Sequence, residues 1–317
     1  MMNPPAHTPV MLERTLELLA PALSVAGATL VDATLGLGGH TEAALQRHPA
    51  LTVIGLDRDT DALARAGDRL RPFGNRVHFV HTVYSDIRST LDTLGISRVS
   101  AVLFDLGVSS MQLDEAERGF AYSHDAPLDM RMDRTTGITA ATVLAEYSEA
   151  DLRRIFYAYG EEKLSPRYAR SIVQSRTEQP LERSSQLVQL IINATPRAVQ
   201  RAGHPAKRVF QALRIEVNAE LAALETALPE ALDALAVNGR LVVLAYQSLE
   251  DRIVKRELAR RTQSTAPAGL PVELPEHRPE FSLLVRGAEQ ADEAERASNP
   301  RAIPVRLRAA ERLRGAA

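Results

Sequence analysis

The chain contains no cysteine and no tryptophan, and only three of its 38 basic residues are lysine. The lack of cysteine excludes disulfides, thiolate metal sites and a cysteine nucleophile. We predict no bound metal, and we expect the protein to be located in the reducing cytoplasm. No apolar run approaches the roughly 18 residues of a membrane-spanning helix. The N-terminal residues also lack the basic and apolar pattern of a secretion signal, so no membrane partner is predicted.

Charge is distributed unevenly along the chain, although the formal net charge is only −2. Residues 163–208 carry nine basic side chains and two acidic ones. A basic segment in an otherwise acidic chain is typical of a surface that contacts a nucleic acid backbone. The alternative is an ordinary solvated helix face, and charge alone does not separate the two.

A glycine-rich turn follows the first apolar run, in the sequence Asp32-Ala-Thr-Leu-Gly-Leu-Gly-Gly-His40. It predicts a strand, a tight turn and a helix N-terminus, where backbone N–H groups approach a ligand closely. A dinucleotide fingerprint would need a third glycine at residue 41, which is Thr41. The remaining pattern is typical of a loop that holds S-adenosylmethionine, and a purely structural turn is the alternative.

A carboxylate at the end of the second predicted strand strengthens the cofactor interpretation. Asp57 follows Gly38 by 19 residues, a spacing at which such a carboxylate accepts hydrogen bonds from the two ribose hydroxyls. The alternative is that Asp57, or the nearby Asp59, caps the helix that begins near Thr60. Asp59 suits the cap better, which leaves Asp57 for the ribose.

Strand-like and helix-like segments alternate along most of the chain. We predict strands at 29–33, 51–56, 77–80, 101–104, 240–245 and 281–285, and helices at 41–47, 60–70, 87–94, 215–235 and 249–260. This alternation predicts an α/β fold with a mostly parallel, doubly wound sheet.

One interval breaks the alternation, because no convincing strand lies between residues 104 and 240 and residues 140–192 have a helical pattern. We infer a helical insertion between the fourth and fifth predicted strands. The predicted organisation is a cofactor-binding domain at 1–116 and 209–317, with an inserted substrate-recognition domain at 117–208.

Asp105 stands at the carboxyl end of the fourth predicted strand, where open α/β sheets bind their ligands. Ser109 and Gln112 follow on the emerging loop. In enzymes that methylate amines, this position meets the target nitrogen. In the exocyclic amine of a nucleobase, the lone pair of that nitrogen is delocalised into the ring. An acceptor for the N–H places the nitrogen in line with the methyl group, so Asp105 and Ser109 are the candidate catalytic residues. A strand-end aspartate that merely caps the loop is the alternative.

Several longer blocks occur in order along the chain. They are His7-Thr-Pro-Val10, residues 105–114, Glu117-Arg-Gly-Phe120, Pro127-Leu-Asp-Met-Arg-Met-Asp133, Tyr159-Gly-Glu-Glu162, residues 204–221, residues 248–255 and Asn299-Pro-Arg301. Together they resemble the RsmH/MraW family of bacterial 16S rRNA (cytosine-N4)-methyltransferases, and the resemblance runs over residues 7–312.

The resemblance implies a Rossmann-like class I methyltransferase sheet with an inserted helical domain. It implies methyl transfer from S-adenosyl-L-methionine to the N4 amine of a cytidine in the decoding centre. The implied partner is 16S rRNA within the small ribosomal subunit, not DNA. The cofactor contacts implied by matching motifs are Gly38, Gly39, His40, Asp57, Tyr84, Asp105 and Gln112. Tyr84 follows the third predicted strand, where an aromatic ring can pack against adenine, and ordinary core packing is the alternative.

Three departures from the family pattern bear on the implied site. Leu37 stands where arginine or alanine is frequent, and its side chain is expected to point away from the cofactor. Met111 stands where proline is common, and Gln247 stands where histidine is usual. Gln247 argues against an essential base at that position. The proton of a methylated amine is acidic and leaves readily to water, so a strong general base is not required.

Three basic residues are candidates for contact with RNA. Arg131 suits a phosphate or carboxylate clamp, and the alternative is an ion pair with Asp129 or Asp133. Lys207 and Arg208 stand where the insertion rejoins the sheet domain. A cytidine must be unstacked to reach a buried methyl donor. A non-catalytic RNA-binding ribosome-assembly factor with a degenerate cofactor loop is the competing hypothesis.

Overall fold

The computed structural model describes residues 8–197, 203–267, 274 and 277–315, and His7 of the first family block lies outside them. Contacts between Cα atoms divide the chain into two compact units. We call residues up to Gly107 and from Ala222 onward the sheet unit, and Val108–Leu221 the helical unit.

The sheet unit contains one seven-stranded sheet with the order β3-β2-β1-β4-β5-β7-β6. Strands β1 to β5 are parallel, and β7 runs antiparallel to both β5 and β6. The strands are β1 Thr29–Asp32, β2 Thr52–Asp57, β3 Val77–His81, β4 Val99–Asp105, β5 Leu235–Ala245, β6 Phe281–Leu283 and β7 Arg306–Arg312. This arrangement confirms the predicted α/β fold with a mostly parallel sheet.

Helices connect most of these strands, and most of the helices bury apolar side chains. They are α1 Leu12–Leu23, α2 Gly39–Arg47, α3 Thr60–Leu70, α4 Ile87–Thr93, α11 Glu220–Ala234, α12 Ser248–Thr262 and α13 Glu293–Ser298. The central strands are apolar and buried, as expected for strands covered on both faces. Among the residues that the structure describes, no helix is long and apolar enough to cross a membrane.

The helical unit has a hydrophobic core of its own. Its helices are α5 Ser110–Asp114, α6 Ala140–Glu146, α7 Glu149–Ala158, α8 Ser165–Ser175, α9 Ser184–Ala194 and α10 Ala206–Asn218. The predicted insertion, 117–208, is narrower than this unit, because side chains such as Val209, Phe210 and Leu213 of α10 are buried in the helical core. The functional boundary at 116/117 and 208/209 stays a proposal.

Several elements differ from the sequence prediction. The predicted single helix at 215–235 is wrong, because Ala219 adopts a left-handed conformation with φ of 49° that separates α10 from α11. Strand β7 was not predicted, since its sequence Arg-Leu-Arg-Ala-Ala-Glu-Arg has no β-branched residue. Helix α1 was also missed.

The carboxyl ends of three neighbouring strands carry aspartates. Asp32 ends β1, Asp57 ends β2 and Asp105 ends β4, and the sheet order places β1 between the other two strands. The fold therefore brings the predicted cofactor and catalytic carboxylates to one edge of the sheet, where ligands bind in this class of sheet.

Candidate active site

The glycine turn between β1 and α2 has the backbone conformation that glycine favours. Gly36 has φ of 53° and Gly38 has φ of 75°. A Cβ atom on Gly38 would lie 2.9 Å from Cδ1 of Leu70, and one on Gly39 would lie 2.5 Å from Cγ of Pro9. Packing within the fold therefore accounts for both glycines, and their predicted contact with the cofactor stays a prediction.

Asp57 joins the end of β2 to this turn. Its Oδ2 accepts a hydrogen bond of 2.7 Å from the Gly36 N–H, and its Oδ1 accepts one of 2.8 Å from the Asp59 N–H. Each carboxylate oxygen keeps a second lone pair. The two oxygens can therefore accept one hydrogen bond each from the two hydroxyls of a ribose. Burial raises the pKa of Asp57 to about 6.

The helix cap at this position belongs to Asp59, as the sequence predicted. The Asp59 carboxylate accepts hydrogen bonds from the N–H groups of Asp61 at 3.0 Å and Ala62 at 3.4 Å. These bonds satisfy donors that the first turn of α3 leaves without intrahelical partners. Capping therefore does not account for Asp57.

Asp32 is the buried carboxylate of the first strand, with 1% of its surface exposed. It accepts a hydrogen bond of 2.7 Å from the Thr41 hydroxyl and one of 3.3 Å from the Thr34 N–H. Burial raises the pKa of Asp32 to about 6. Thr41, which replaces the third glycine of a dinucleotide fingerprint, is thus the hydroxyl donor to this carboxylate.

Asp105 is bonded to a side chain that the sequence interpretation missed. The hydroxyl of Tyr246 donates a hydrogen bond of 2.7 Å to Oδ1 of Asp105. Burial raises the pKa of Asp105 to about 6, while this hydrogen bond favours the ionised form. The available signal was the position of Tyr246 directly after β5, the sheet neighbour of β4.

His40, a predicted cofactor contact, lies on the other side of the Asp105 carboxylate. Its Nδ1 is 3.7 Å from Oδ2 of Asp105, and its Nε2 is 3.1 Å from the Val10 carbonyl oxygen. A carbonyl oxygen only accepts, so Nε2 carries the ring proton. Burial lowers the pKa of His40 and favours the neutral ring.

Tyr84, the predicted adenine-packing residue, lies in a short 3₁₀ turn directly after β3. Its ring meets Phe104 of β4 edge to face, with 5.6 Å between ring centroids. This contact fixes the ring at the same sheet edge as Asp57 and Asp105, and its stacking on adenine stays a prediction.

Ser109 and Gln112 belong to the helical unit and bond to each other. The Gln112 N–H donates to Oγ of Ser109 at 3.2 Å, and the Ser109 N–H donates to Oε1 of Gln112 at 3.0 Å. This is a capping box at the start of α5. The cap is a structural explanation for both residues, and their catalytic and cofactor roles stay predictions.

Arg131 forms the ion pair that the sequence left as an alternative. Its Nε and Nη2 donate to the two carboxylate oxygens of Asp129 at 2.8 and 3.0 Å. The surrounding loop is held by Asn218, whose amide bonds the Met130 carbonyl and the Met132 N–H. The guanidinium charge is therefore already paired, and contact with RNA stays a prediction.

Lys207 and Arg208 are exposed in the first turn of α10. Arg208 donates a hydrogen bond of 2.9 Å to the Glu161 carbonyl oxygen. That first turn contains no acidic residue, although a helix N-terminus favours negative charge. Two cations at this position oppose the helix dipole, which favours a role outside the helix itself.

Gln247, a departure from the family pattern, caps helix α12. Its side-chain amide donates to Oε1 of Glu250 at 3.0 Å, and its N–H donates to Oε2 at 3.2 Å. Asp251 next to Glu250 pairs with Arg308 of β7 at 2.7 Å. This block therefore holds α12 and β7 in place, and the expectation that no essential base stands at Gln247 stays a prediction.

The residues of the sheet edge suit S-adenosylmethionine. The cofactor offers two ribose hydroxyls, which match Asp57, and a positive sulfonium, which suits an edge with three partly or fully buried carboxylates. Across the described ranges, no group of three or more His, Cys, Asp or Glu side chains could hold a metal ion.

Comparisons with known proteins identify the family of this chain. The model of the MraW methylase family matches residues 5–313. A protein of Leifsonia xyli subsp. xyli named ribosomal RNA small subunit methyltransferase H is 70% identical over 97% of this chain and 95% of its own length. A protein of the same name from Saccharopolyspora erythraea is 61% identical over 98% of this chain and 94% of its own length.

A putative methyltransferase from Streptococcus mutans, solved in complex with SAH, aligns at a TM-score of 0.45 and 14% identity over 99% of this chain and all of its own. The nearly full-length family match confirms the predicted methyltransferase activity and S-adenosyl-L-methionine as the methyl donor. The chain belongs to the MraW methylase family.

Proposed function

We propose that this enzyme methylates the N4 amine of a cytidine in the decoding centre of 16S rRNA, within the small ribosomal subunit. The observation that carries the proposal is the 70% identity, over 97% of the chain, to a protein named for methylation of small-subunit ribosomal RNA. The cytosine and its N4 atom are what the family resemblance of the motif blocks around Asp105 implies. The proposed place of action is the cytoplasm, where subunits mature.

The proposed reaction is a direct displacement at the methyl carbon. The N4 lone pair forms a bond to carbon while the carbon–sulfur bond breaks, and its electron pair remains on sulfur as a neutral thioether. The nitrogen then loses one proton to water and returns to a neutral amine. Because the N4 lone pair is delocalised into the ring, the enzyme contributes mainly by orientation.

The Asp105 carboxylate is suited to accept a hydrogen bond from the amine N–H. One carboxylate oxygen is bound to Tyr246, and 27% of the Asp105 side chain is exposed, so a substrate can reach the remaining lone pairs. Asp57 would hold the ribose of the methyl donor, with its two oxygens already aligned by the Gly36 and Asp59 N–H groups. When bound, the donor supplies the electrophilic methyl group.

The helical unit is the proposed RNA-recognition surface. Its residues 163–208 carry the excess of nine basic over two acidic side chains. Lys207 and Arg208 contribute two exposed cations there, and an unpaired surface cation attracts phosphate more strongly than a paired one such as Arg131.

The proposal is tested by determining which acceptor molecule receives the methyl group. Purified enzyme and labelled S-adenosylmethionine are incubated with small subunits from cells that lack the enzyme, with naked 16S rRNA and with DNA. We expect label in the RNA of the subunits, and none in protein or DNA. Label confined to DNA or protein would contradict the proposal. Binding to subunits with no label in any acceptor would instead support the assembly-factor hypothesis.

A further inference from the structure

Tyr246 stands directly after β5, beside the catalytic candidate on β4. The register pairs Asp105 with Leu244, so Tyr246 is two residues beyond the position opposite Asp105, on the same face of the strand. Its hydroxyl donates to Oδ1 of Asp105 at 2.7 Å. Sheet pairing, not a flexible loop, therefore brings the two side chains together.

Tyr246 has two further neighbours, one at its backbone and one at its ring. Its backbone N–H donates a hydrogen bond of 2.9 Å to Oε2 of Glu250, which is itself buried in the cap of α12. A Cβ atom on Gly107 would lie 3.5 Å from the ring carbon Cδ2, an ordinary van der Waals distance, so the ring lies beside Gly107 in the loop that follows Asp105. The hydroxyl thus has a fixed place relative to the carboxylate.

His40 limits the other carboxylate oxygen. Because the Nε2 proton faces the Val10 carbonyl, the neutral ring presents the Nδ1 lone pair to Oδ2 of Asp105 across 3.7 Å. Two lone pairs at that distance repel each other unless a proton lies between them. His40 therefore does not anchor the ionised carboxylate, and the Tyr246 hydroxyl does.

We propose that Tyr246 is a positioning residue for methyl transfer, which holds Oδ1 of Asp105 so that Oδ2 faces the acceptor amine. The inference rests on the proposed function, because it takes Asp105 as the group that accepts the amine N–H. Tyr246 itself touches neither the methyl group nor the amine. Loss of its hydroxyl leaves the carboxylate free to rotate, and the alignment that transfer requires is then reached less often.

The charged neighbours determine how the site responds to pH. Asp32 on β1, His40 on α2 and Tyr246 after β5 act on Asp105, while Glu250 on α12 and Glu295 on α13 act on Tyr246. The Tyr246 hydrogen bond lowers the pKa of Asp105, against the larger effect of burial. Removing the hydroxyl should therefore move the acid limb of the pH–rate profile to higher pH.

The test compares Tyr246→Phe with the wild-type enzyme on small subunits. We expect kcat to fall roughly 10-fold, as for loss of one hydrogen bond to a charged group. The dissociation constant for S-adenosylmethionine and the KM for subunits should stay within about 2-fold, since Tyr246 touches neither ligand in the proposal. The acid limb of kcat should move to higher pH.

Tyr168→Phe is the matched control, because Tyr168 is a buried tyrosine whose hydroxyl makes a 2.7 Å hydrogen bond to Thr195 in the helical unit. It should leave the profile unchanged. In an Asp105→Asn background, Tyr246→Phe should cost much less than in the wild type, because the two residues act as a pair.

The inference would be overturned by an unchanged kcat in Tyr246→Phe, by an unmoved acid limb, or by full additivity with Asp105→Asn. A fall in cofactor affinity equal to the fall in kcat would also overturn it, because that pattern indicates a role in binding the donor. Failure of the proposed function is distinguishable, since Asp105→Asn would then retain normal turnover, or subunits would take no label from wild-type enzyme.

Discussion

The sheet edge and the helical unit place their charges in opposite ways. At the sheet edge, three carboxylates end adjacent strands, and burial raises the pKa of each to about 6. In the helical unit, Lys207 and Arg208 are exposed, and Arg131 is paired with Asp129. At the sheet edge, desolvation disfavours the charged form of each carboxylate. In the helical unit, the exposed charges stay solvated and act over a longer distance.

The difference indicates what each region binds. A buried carboxylate gains most from a ligand that supplies hydroxyl donors or a cation at short range, as S-adenosylmethionine does. An exposed cation gains most from a polyanion with many phosphates, and that interaction weakens as salt is added. Each of the following changes affects one region and should leave the other intact.

The largest effect is expected from Asp105→Ala, which removes the carboxylate at the centre of the sheet edge. Turnover on small subunits should fall at least about 100-fold, because the amine loses the acceptor that orients it. Binding of the subunit, measured by filter retention, should be unchanged. If turnover and cofactor affinity fall by the same factor, Asp105 serves the donor and not the amine.

Asp57→Ala should weaken S-adenosylmethionine roughly 10- to 100-fold, since two hydrogen bonds from ribose to a carboxylate are lost. Isothermal calorimetry measures the affinity, and circular dichroism checks that the variant is folded. Asp59→Ala is the matched control, because it removes the helix cap at a cost of about 1 kcal/mol in stability without touching the donor. Equal affinities for both variants would exclude the ribose role.

The helical unit is probed by Lys207→Ala combined with Arg208→Ala. Affinity for small subunits should fall about 5- to 10-fold in moderate salt, and the slope of log affinity against log salt should fall by about 2. Affinity for S-adenosylmethionine should not change. The exposed Arg153→Ala serves as the control, and an identical salt slope in all three proteins would remove these residues from the RNA surface.

The smallest effect concerns stability without ligand. The pKa of Asp105 is raised from 3.8 to about 6 in the fold, so its contribution to stability is present below about pH 4 and is lost as pH rises through about 6. Asp105→Asn removes this dependence. Denaturant unfolding should show the variant more stable by about 1–3 kcal/mol at pH 8 and no more stable near pH 4.

A uniform difference at both pH values would mean that the carboxylate does not titrate in this way. The same experiment on Asp129→Asn in the helical unit should give the opposite sign. Its pKa is lowered against the effect of burial by Arg131, so loss of the carboxylate destabilises the protein above the ordinary aspartate range.

The sheet was largely predictable because its signals are local. Six of the seven strands are apolar runs followed by a turn or helix pattern, and Asp59 occupies the cap position that its spacing indicated. Strand β7 was not predicted, because three of its seven residues are arginines and arginine is rarely buried. Arg312 is 1% exposed, and its guanidinium is satisfied by the carbonyls of Leu232, Asp233 and Leu235.

The break between α10 and α11 could not be predicted for a related reason. Apolar residues continue at helical spacing across Asn218 and Ala219, so the sequence indicates one long helix. The helix ends there because the Asn218 side chain is buried and bonded to the Met130–Met132 loop, about 88 residues earlier in the chain. A tertiary contact thus overrides the local preference.

The candidate site was predicted in part. Asp57 and Asp105 were found from their places at strand ends, whereas Tyr246 is 141 residues from Asp105 and belongs to no motif of polar residues. Ser109, Gln112 and Arg131 were chosen from sequence as functional, and each has a local partner, of which only Asp129 beside Arg131 was named as an alternative. Strand ends are determined by the fold, while side-chain partners depend on packing.

The most direct test of the central claim is to map the methyl group itself. Small subunits from cells lacking the enzyme are methylated in vitro with wild-type protein, and nuclease fragments of the 16S rRNA are sequenced by mass spectrometry. We predict a single added methyl on N4 of one cytidine in the decoding centre, absent with Asp105→Ala. A methyl on another atom or outside the decoding centre would contradict the proposed function.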